Sequence, residues 1–230
     1  MWGYVKERPK FTYVAPTPKK KEREETLTGK SAIYPDCVEY YPNFIDEIGL
    51  NPVELYQEFL DEFEFARRPV LGKLGQELYT LDRETCVYSD PDVTDAPPAI
   101  WGANNKLHPW TPNLEKIRDA IEIKTGAKYN ICLCNYYANG MRKIGWHPDR
   151  EERGSTVRIA SVSIGEPRLF QLKENATSKI YDIRLANGSL FIMKDPCQRD
   201  YVHRVPEESN VMNGRINLTY RLLDKARYFK

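Results

Sequence analysis

Between residues 215 and 222 the chain reads RINLTYRL, an unbroken alternation of polar and apolar side chains. Successive side chains of a β-strand point to opposite faces, so Ile216, Leu218, Tyr220 and Leu222 share one face. Arg215, Asn217, Thr219 and Arg221 share the other. This segment is therefore one strand of a β layer, with an apolar side for packing and a polar side turned either to solvent or into a cavity. In a cavity, the two arginines could grip a carboxylate in bidentate fashion. An ordinary half-exposed strand shows the same alternation, so the pattern implies a layer before it implies a function.

The segments upstream agree with such a layer. After Gly126 the texture is β, with candidate strands at 129–136, 158–164, 168–172, 180–185, 189–193 and 215–222. Asn187-Gly188 falls between two of them and reads as a tight hairpin turn, because type I′ turns need positive φ. Ahead of Gly126 two stretches read as helical. Asn51, Pro52 and Glu54 form a helix start: a side-chain cap, a proline at the first helical position and an acid near the positive end. Leu55, Phe59 and Phe63 then recur at four-residue spacing, and residues 31–70 as a whole read as helical. A second helix starts at Thr111-Pro112, turns Leu114, Ile117 and Ile121 inward and stops near Gly126. Helices first and many short strands afterwards predict an α+β fold with a sandwich or closed β core.

Apolar residues make up 41% of the chain, enough for one sizeable core, yet no apolar run approaches the roughly 20 residues that span a bilayer. The opening MWGYVKERPK lacks a secretory h-region, so the expected location is intracellular, cytoplasmic or nuclear, and not secreted or membrane-bound. Five scattered cysteines without CxxC pairing read as reduced thiols, with Cys132 and Cys134 on one strand face as core residues. Residues 1–30, with three prolines and the run KKKEREE, read as a flexible charged arm. Residues 31–95 hold fifteen acidic and four basic side chains, whereas residues 96–230 carry a net +8. A basic C-terminal part suits a polyanionic partner. A monomer is expected.

GWHPD, at 145–149, places His147 and Asp149 on the same side of an extended segment, about 6–7 Å apart at the backbone. A neutral imidazole and a carboxylate suit a divalent first-row metal, and a second histidine would complete a two-histidine, one-carboxylate triad of the kind found in non-haem iron oxygenases. The remaining histidines are His108, in the turn-rich NNKLHPWTP, and His203, in DYVHRVP just ahead of the polar-faced strand. His203 is the favoured third ligand.

In order, Asn135-Tyr136-Tyr137, His147-Pro148-Asp149, His203 and Arg215 to Arg221 (RINLTYR) resemble the AlkB family of iron(II)/2-oxoglutarate dioxygenases, as do NYYANGMRKIGWHPDREE, IASVSIGEPRLF, NGSLFIM and HRVP. The resemblance covers about residues 68–222 and is closest to the branch that repairs alkylated bases. It implies a double-stranded β-helix (jelly-roll) core at about 129–224, a substrate-recognition part at about 31–128 with helices packed on the core, and one domain over 31–230. It implies iron(II), 2-oxoglutarate and O2 as cofactors, with His147, Asp149 and His203 as metal ligands. Asn135, Tyr137, Arg215, Asn217 and Arg221 would bind 2-oxoglutarate, Arg215 at its distal carboxylate and Arg221 near the C1 end. A dianion of this kind is costly to bury unpaired, which explains two arginines on one strand face. Tyr88, Trp146, Glu151 and Leu71 would touch the substrate, Leu71 standing where relatives carry a wedge residue. Arg142, Lys143, Arg150 and Arg153 flank the motif as phosphate contacts. The implied reaction is oxidative removal of N-alkyl groups from DNA or RNA, of the 1-methyladenine and 3-methylcytosine type. The alternative is the same chemistry on tRNA, protein or a base destined for hypermodification.

Overall fold

The computed structural model describes residues 34–94, 101, 103–149 and 157–223. The arm and Glu151, Arg150 and Arg153 lie outside these residues. Two β-sheets face each other across a cavity. The larger takes β1 (Val38–Tyr41), β10 (Ser189–Lys194), β7 (Arg158–Gly165), β12 (Arg215–Arg221), β5 (Ile131–Tyr137), β3 (Glu77–Ser89) and β2 (Ala66–Leu71) in that spatial order, with β4 (Leu107–His108) parallel to β3. The smaller has the order β6 (Ile144–His147), β11 (Tyr201–Val205), β8 (Arg168–Glu174) and β9 (Ile180–Leu185).

The strand seen most clearly in the sequence sits at the centre of the larger sheet. β12 pairs with β5 on one side and β7 on the other, so both its edges are hydrogen-bonded. Its apolar face, Ile216, Leu218 and Tyr220, joins Cys132, Cys134, Ala160, Val162 and Ile164 in one core layer. α2 (Pro52–Glu62) and α3 (Pro112–Thr125) pack on that layer through Leu55, Tyr56, Phe59 and Leu60, and through Leu114, Ile117 and Ile121. Burying each such side chain stabilises by about 1.5–3 kcal/mol. Asn51 Oδ1 accepts from Val53 N at 2.9 Å and Glu54 N at 3.4 Å, a cap that contributes about 1 kcal/mol. Gly126, at φ +65°, closes α3.

Three sequence expectations change. Only 44–47 (α1, Phe44–Glu47) and 52–62 are helical in the stretch read as helix; VEYY and ARRPVL flank them as strands, paired with β10 and β3. β3, the longest strand, carries no clean alternation, because both its faces mix polar and apolar side chains: Arg83 and Thr85 share one with the buried Leu81 and Val87, and Glu84 shares the other with Cys86 and Tyr88. Asn187-Gly188 does not close a hairpin. β9 belongs to the smaller sheet and β10 to the larger, and the turn crosses between them. Asn187 Oδ1 accepts from Gly165 N, and Gly188 N donates to Ser163 O, both at 2.8 Å, so this turn is tied to β7. Gly188 keeps its positive φ, +80°. All five cysteines are buried free thiols. No helix among the described residues is long and apolar enough to cross a membrane.

Candidate metal centre

The polar face of β12 looks into the space between the sheets, a cavity of about 560 Å³ counted out to its open mouth. From the opposite sheet β6 and β11 bring His147 and His203 into register as direct cross-strand partners. Their ring centroids are 4.4 Å apart, and Phe170 stacks behind His203 at 5.4 Å. Asp149 follows just beyond β6, its backbone N–H donating to Gln198 Oε1 at 2.8 Å. One donor atom from each of His147, Asp149 and His203 lies within 4.8 Å of the other two. Among the described residues this is the one such group of three or more potential ligands. His108 is not part of it; its ring packs on Tyr88 at 5.3 Å.

The ionisation of the triad suits a cation. Burial disfavours the charged imidazole and brings the His203 pKa down to about 4; the same cause lowers His147. Burial alone would raise Asp149, but the Arg221 guanidinium and the two histidines outweigh it and hold the carboxyl at about 2. The His147 Nδ1–H donates to the Gly145 carbonyl at 2.8 Å. A carbonyl only accepts, so the proton sits on Nδ1 and Nε2 keeps its lone pair for a metal.

β6 achieves this with an irregularity. His203 pairs with His147 and Val205 with Ile144, so Gly145 and Trp146 together oppose Arg204. The bulge lets Ile144 and His147 both line the cavity although they are three residues apart.

Across the cavity stands an unpaired cation. Arg215 is 1% exposed, and its Nη2 donates to Ser163 Oγ at 2.9 Å, while Nε and Nη1 have no partner. Its guanidinium faces the Tyr137 ring at 5.5 Å, and burial pushes its pKa down to about 10. A buried guanidinium with two idle donors is costly unless an anion meets it. Asn135 Oδ1 accepts from Arg83 Nε at 2.5 Å, which leaves the Asn135 amide nitrogen for the cavity. Asn217 also lines the cavity, but its Nδ2 donates to Ser161 Oγ at 2.6 Å and Val162 O at 3.2 Å. The donor set therefore fits a divalent metal beside a bound dicarboxylate.

A family model described as the 2OG-Fe(II) oxygenase superfamily matches residues 38–221. The human DNA oxidative demethylase ALKBH2 is 33% identical over 182 residues, 73% of this chain and 67% of that one. The human alpha-ketoglutarate-dependent dioxygenase alkB homolog 3 is 31% identical over 198 residues, 79% of this chain and 69% of that one. The chain belongs to the AlkB family of 2OG-Fe(II) oxygenases. Its cofactors are accordingly iron(II), 2-oxoglutarate and O2. Against the bovine DNA oxidative demethylase ALKBH2, 32% identical, the match spans 63% of that protein's length. Among solved structures, that of OsALKBH1 superposes with a TM-score of 0.55 at 20% identity, over 81% of this chain and 98% of that one, which supports the fold.

AlkB membership does not by itself place the outer contacts. Tyr88 is buried on the helix side of β3, between Phe63 at 4.6 Å and His108, and so does not reach the cavity. Trp146 lies on the opposite face of β6 from His147 and does not line the cavity either. Leu71 ends β2 at 39% exposure, whereas Leu74, at the turn of the β2–β3 hairpin, is 92% exposed. Arg142 and Lys143 carry their own counter-charges, Asp82 at 3.0 Å and Glu207 at 2.6 Å. Among the polar and aromatic cavity residues, Arg83, Trp101 (its ring faced by Arg221 at 5.5 Å) and Ser161 escaped sequence reasoning, as did Ser163, which accepts from Arg215. Arg83 and Thr85 do share a face in RETCVYS, and that spacing is the signal which could have found Arg83.

Proposed function

We propose that the chain is an iron(II)/2-oxoglutarate-dependent oxidative demethylase that removes N-alkyl groups, of the 1-methyladenine or 3-methylcytosine type, from DNA or RNA. The products are the restored base, formaldehyde, succinate and carbon dioxide. The observation that carries this reading is one cavity with two opposed walls: a neutral-His, neutral-His, carboxylate cluster on one side and the unpaired, buried Arg215 on the other. The printed names of its relatives supply the substrate class.

In this reading His147, Asp149 and His203 hold the iron. When bound, the iron with 2-oxoglutarate activates O2 and hydroxylates the N-alkyl carbon. The remaining work belongs to the chain. Arg215 receives the distal carboxylate of 2-oxoglutarate through Nε and Nη1, with the Asn135 amide and the Tyr137 hydroxyl beside it. Arg83 turns Asn135 so that the amide nitrogen faces the ligand. Asn217 acts by bracing β7 against β12. Arg221 fixes the orientation of Asp149 and sets a positive charge near the C1 end. Trp101, Ile144 and Phe170 wall the cavity with apolar surface that excludes water. Because this space lies between the two sheets, a target base must leave any stack to enter it. The exposed Leu74, rather than Leu71, is the better placed wedge at the hairpin tip, and Glu151 is retained as the acidic contact to the base. The protein acts as an intracellular monomer, in the cytoplasm or nucleus.

Incubation with iron(II), 2-oxoglutarate and oligonucleotides carrying 1-methyladenine or 3-methylcytosine tests this. Formaldehyde release that His147→Ala abolishes is expected. Succinate formation without base restoration would move the substrate elsewhere.

A further inference from the structure

Trp146 was expected at the target base, and the fold turns it away. β6 is an edge strand of the smaller sheet, and the bulge that sends His147 inward sends Trp146 to the outer face. There the Arg204 guanidinium carbon lies 4.4 Å from the centre of the Trp146 ring and Lys173 Nζ lies 4.7 Å from it. The three come from three adjacent strands, β6, β11 and β8, and each is only partly buried. Arg204 Nε donates to Gln171 Oε1 at 2.6 Å, which fixes the plane of the guanidinium and leaves its two terminal nitrogens facing outward from that bond.

The charge balance here differs from that of the neighbouring basic residues. Arg142, Lys143 and Arg184 are met by Asp82, Glu207 and Glu208. Among the described residues no carboxylate lies within 4.0 Å of Lys173 or Arg204. An aromatic face attracts a cation by about 0.5–1 kcal/mol at an exposed site, enough to place the two charges without neutralising them. Two pre-positioned cations over an indole are complementary to phosphates spaced along a flexible chain.

We infer that Trp146, Arg204 and Lys173 form a subsite for the phosphate backbone of a nucleic-acid strand, on the outer face of β6 and separate from the cavity. The inference rests on the proposed function, since it supplies the strand. A chain whose target base occupies the cavity can pass around the exposed edge of β6 and meet these cations on the far side. The subsite thus acts on the nucleotides flanking the target, and contributes affinity for a strand and none for an isolated base.

The test compares wild-type protein with K173Q/R204Q and with W146L, on a methylated single-stranded oligonucleotide and on the corresponding methylated mononucleotide. The 2-oxoglutarate-induced rise in melting temperature, read in all three, certifies the inner site. With two phosphate contacts removed, K173Q/R204Q should bind the oligonucleotide about tenfold more weakly at low salt, and the slope of log K against log salt should shrink by about 1.4. W146L should lose several-fold in affinity with an unchanged slope, and turnover of the mononucleotide should stay at the wild-type rate in both. A wild type that repairs the oligonucleotide with the same affinity and salt slope as K173Q/R204Q overturns the subsite and leaves the proposed function standing. Equal displacement of the oligonucleotide by poly-glutamate and by unmodified oligonucleotide assigns the face to acidic peptides and also overturns it. If the wild type neither binds nor repairs any modified strand, the proposed function falls and the subsite falls with it.

Discussion

Arg221 Nη2 sits 3.2 Å from Asp149 Oδ2, while the other carboxylate oxygen, Oδ1, lies 3.8 Å from Nε2 of both His147 and His203. One carboxylate thus does two jobs, held by the arginine through one oxygen and presented to the metal through the other. The spacing along RINLTYR ensures this, because Arg221 lies three pairs of residues beyond Arg215 on the same face.

Replacing Arg221 with methionine should therefore cost about 3–5 kcal/mol, the range for removing one partner of a buried ion pair. The orphaned carboxylate also loses its fixed orientation, so divalent metal should bind more weakly. Urea unfolding of the metal-free protein and calorimetric titration with cobalt(II) read the two effects separately. An unchanged cobalt affinity would mean that Arg221 does not position Asp149.

Arg215→Met should act in the opposite direction on the empty protein. It removes a buried cation whose donors are unpaired, so the ligand-free melting temperature should hold or rise. Binding of 2-oxoglutarate should weaken by roughly 30-fold or more, corresponding to at least about 2 kcal/mol for truncating a buried charge partner. Thermal melts with and without 2-oxoglutarate report both. A fall in the ligand-free melting temperature with ligand affinity intact would refute the assignment.

Glu208 governs behaviour in acid. It accepts from Arg168 Nε and Leu169 N, both at 2.9 Å, and pairs with Arg184. Burial raises its pKa, but the Leu169 N–H and the two arginines pull it below the ordinary 4.5. A carboxyl with a depressed folded-state pKa contributes stability above its unfolded value and loses it as pH falls through the folded value. Wild-type stability should accordingly drop below about pH 4.5. Glu208→Gln should be less stable at neutral pH, by about 3 kcal/mol, because Arg168 is buried beside it. The gap between the two proteins should close as the pH falls, which urea melts over that interval measure.

Gly140→Ala probes the same corner by sterics. A Cβ there would stand 1.9 Å from the Glu208 carbonyl oxygen and 2.7 Å from Val211 Cβ, and Arg168 also donates to the Gly140 carbonyl. Backbone must move, so a loss of about 1–3 kcal/mol is expected, with the metal-bound spectrum retained. Circular dichroism melts check the first and cobalt(II) absorption the second.

Six of the eight strands after Gly126 were legible to within two residues, whereas the short β6 and β11, which carry His147 and His203, were not among the candidate strands. β3 was not, since each of its faces mixes polar with apolar side chains. The ligand triad was readable because His147 and Asp149 are close in sequence and few histidines compete. Which side of a strand a residue occupies was less accessible. Tyr88 and Trp146 were given to the substrate, yet register and a bulge decide their facing, and both depend on partner strands distant in sequence. The turn at Asn187-Gly188 announced a positive φ correctly; the sheet each flank would join is a tertiary property.

The extra residue in β6 has a consequence for how the chain tolerates change. Deleting Gly145 would restore regular pairing between Ile144–His147 and His203–Val205, and all three ligand side chains would remain in the cavity. What would go is the bulged geometry that aims the carbonyl two residues back at His147 Nδ1. The imidazole would then divide itself between two neutral forms, one of which points an N–H at the metal. A deletion that spares every ligand would still weaken the site, because here the length of the backbone selects the tautomer.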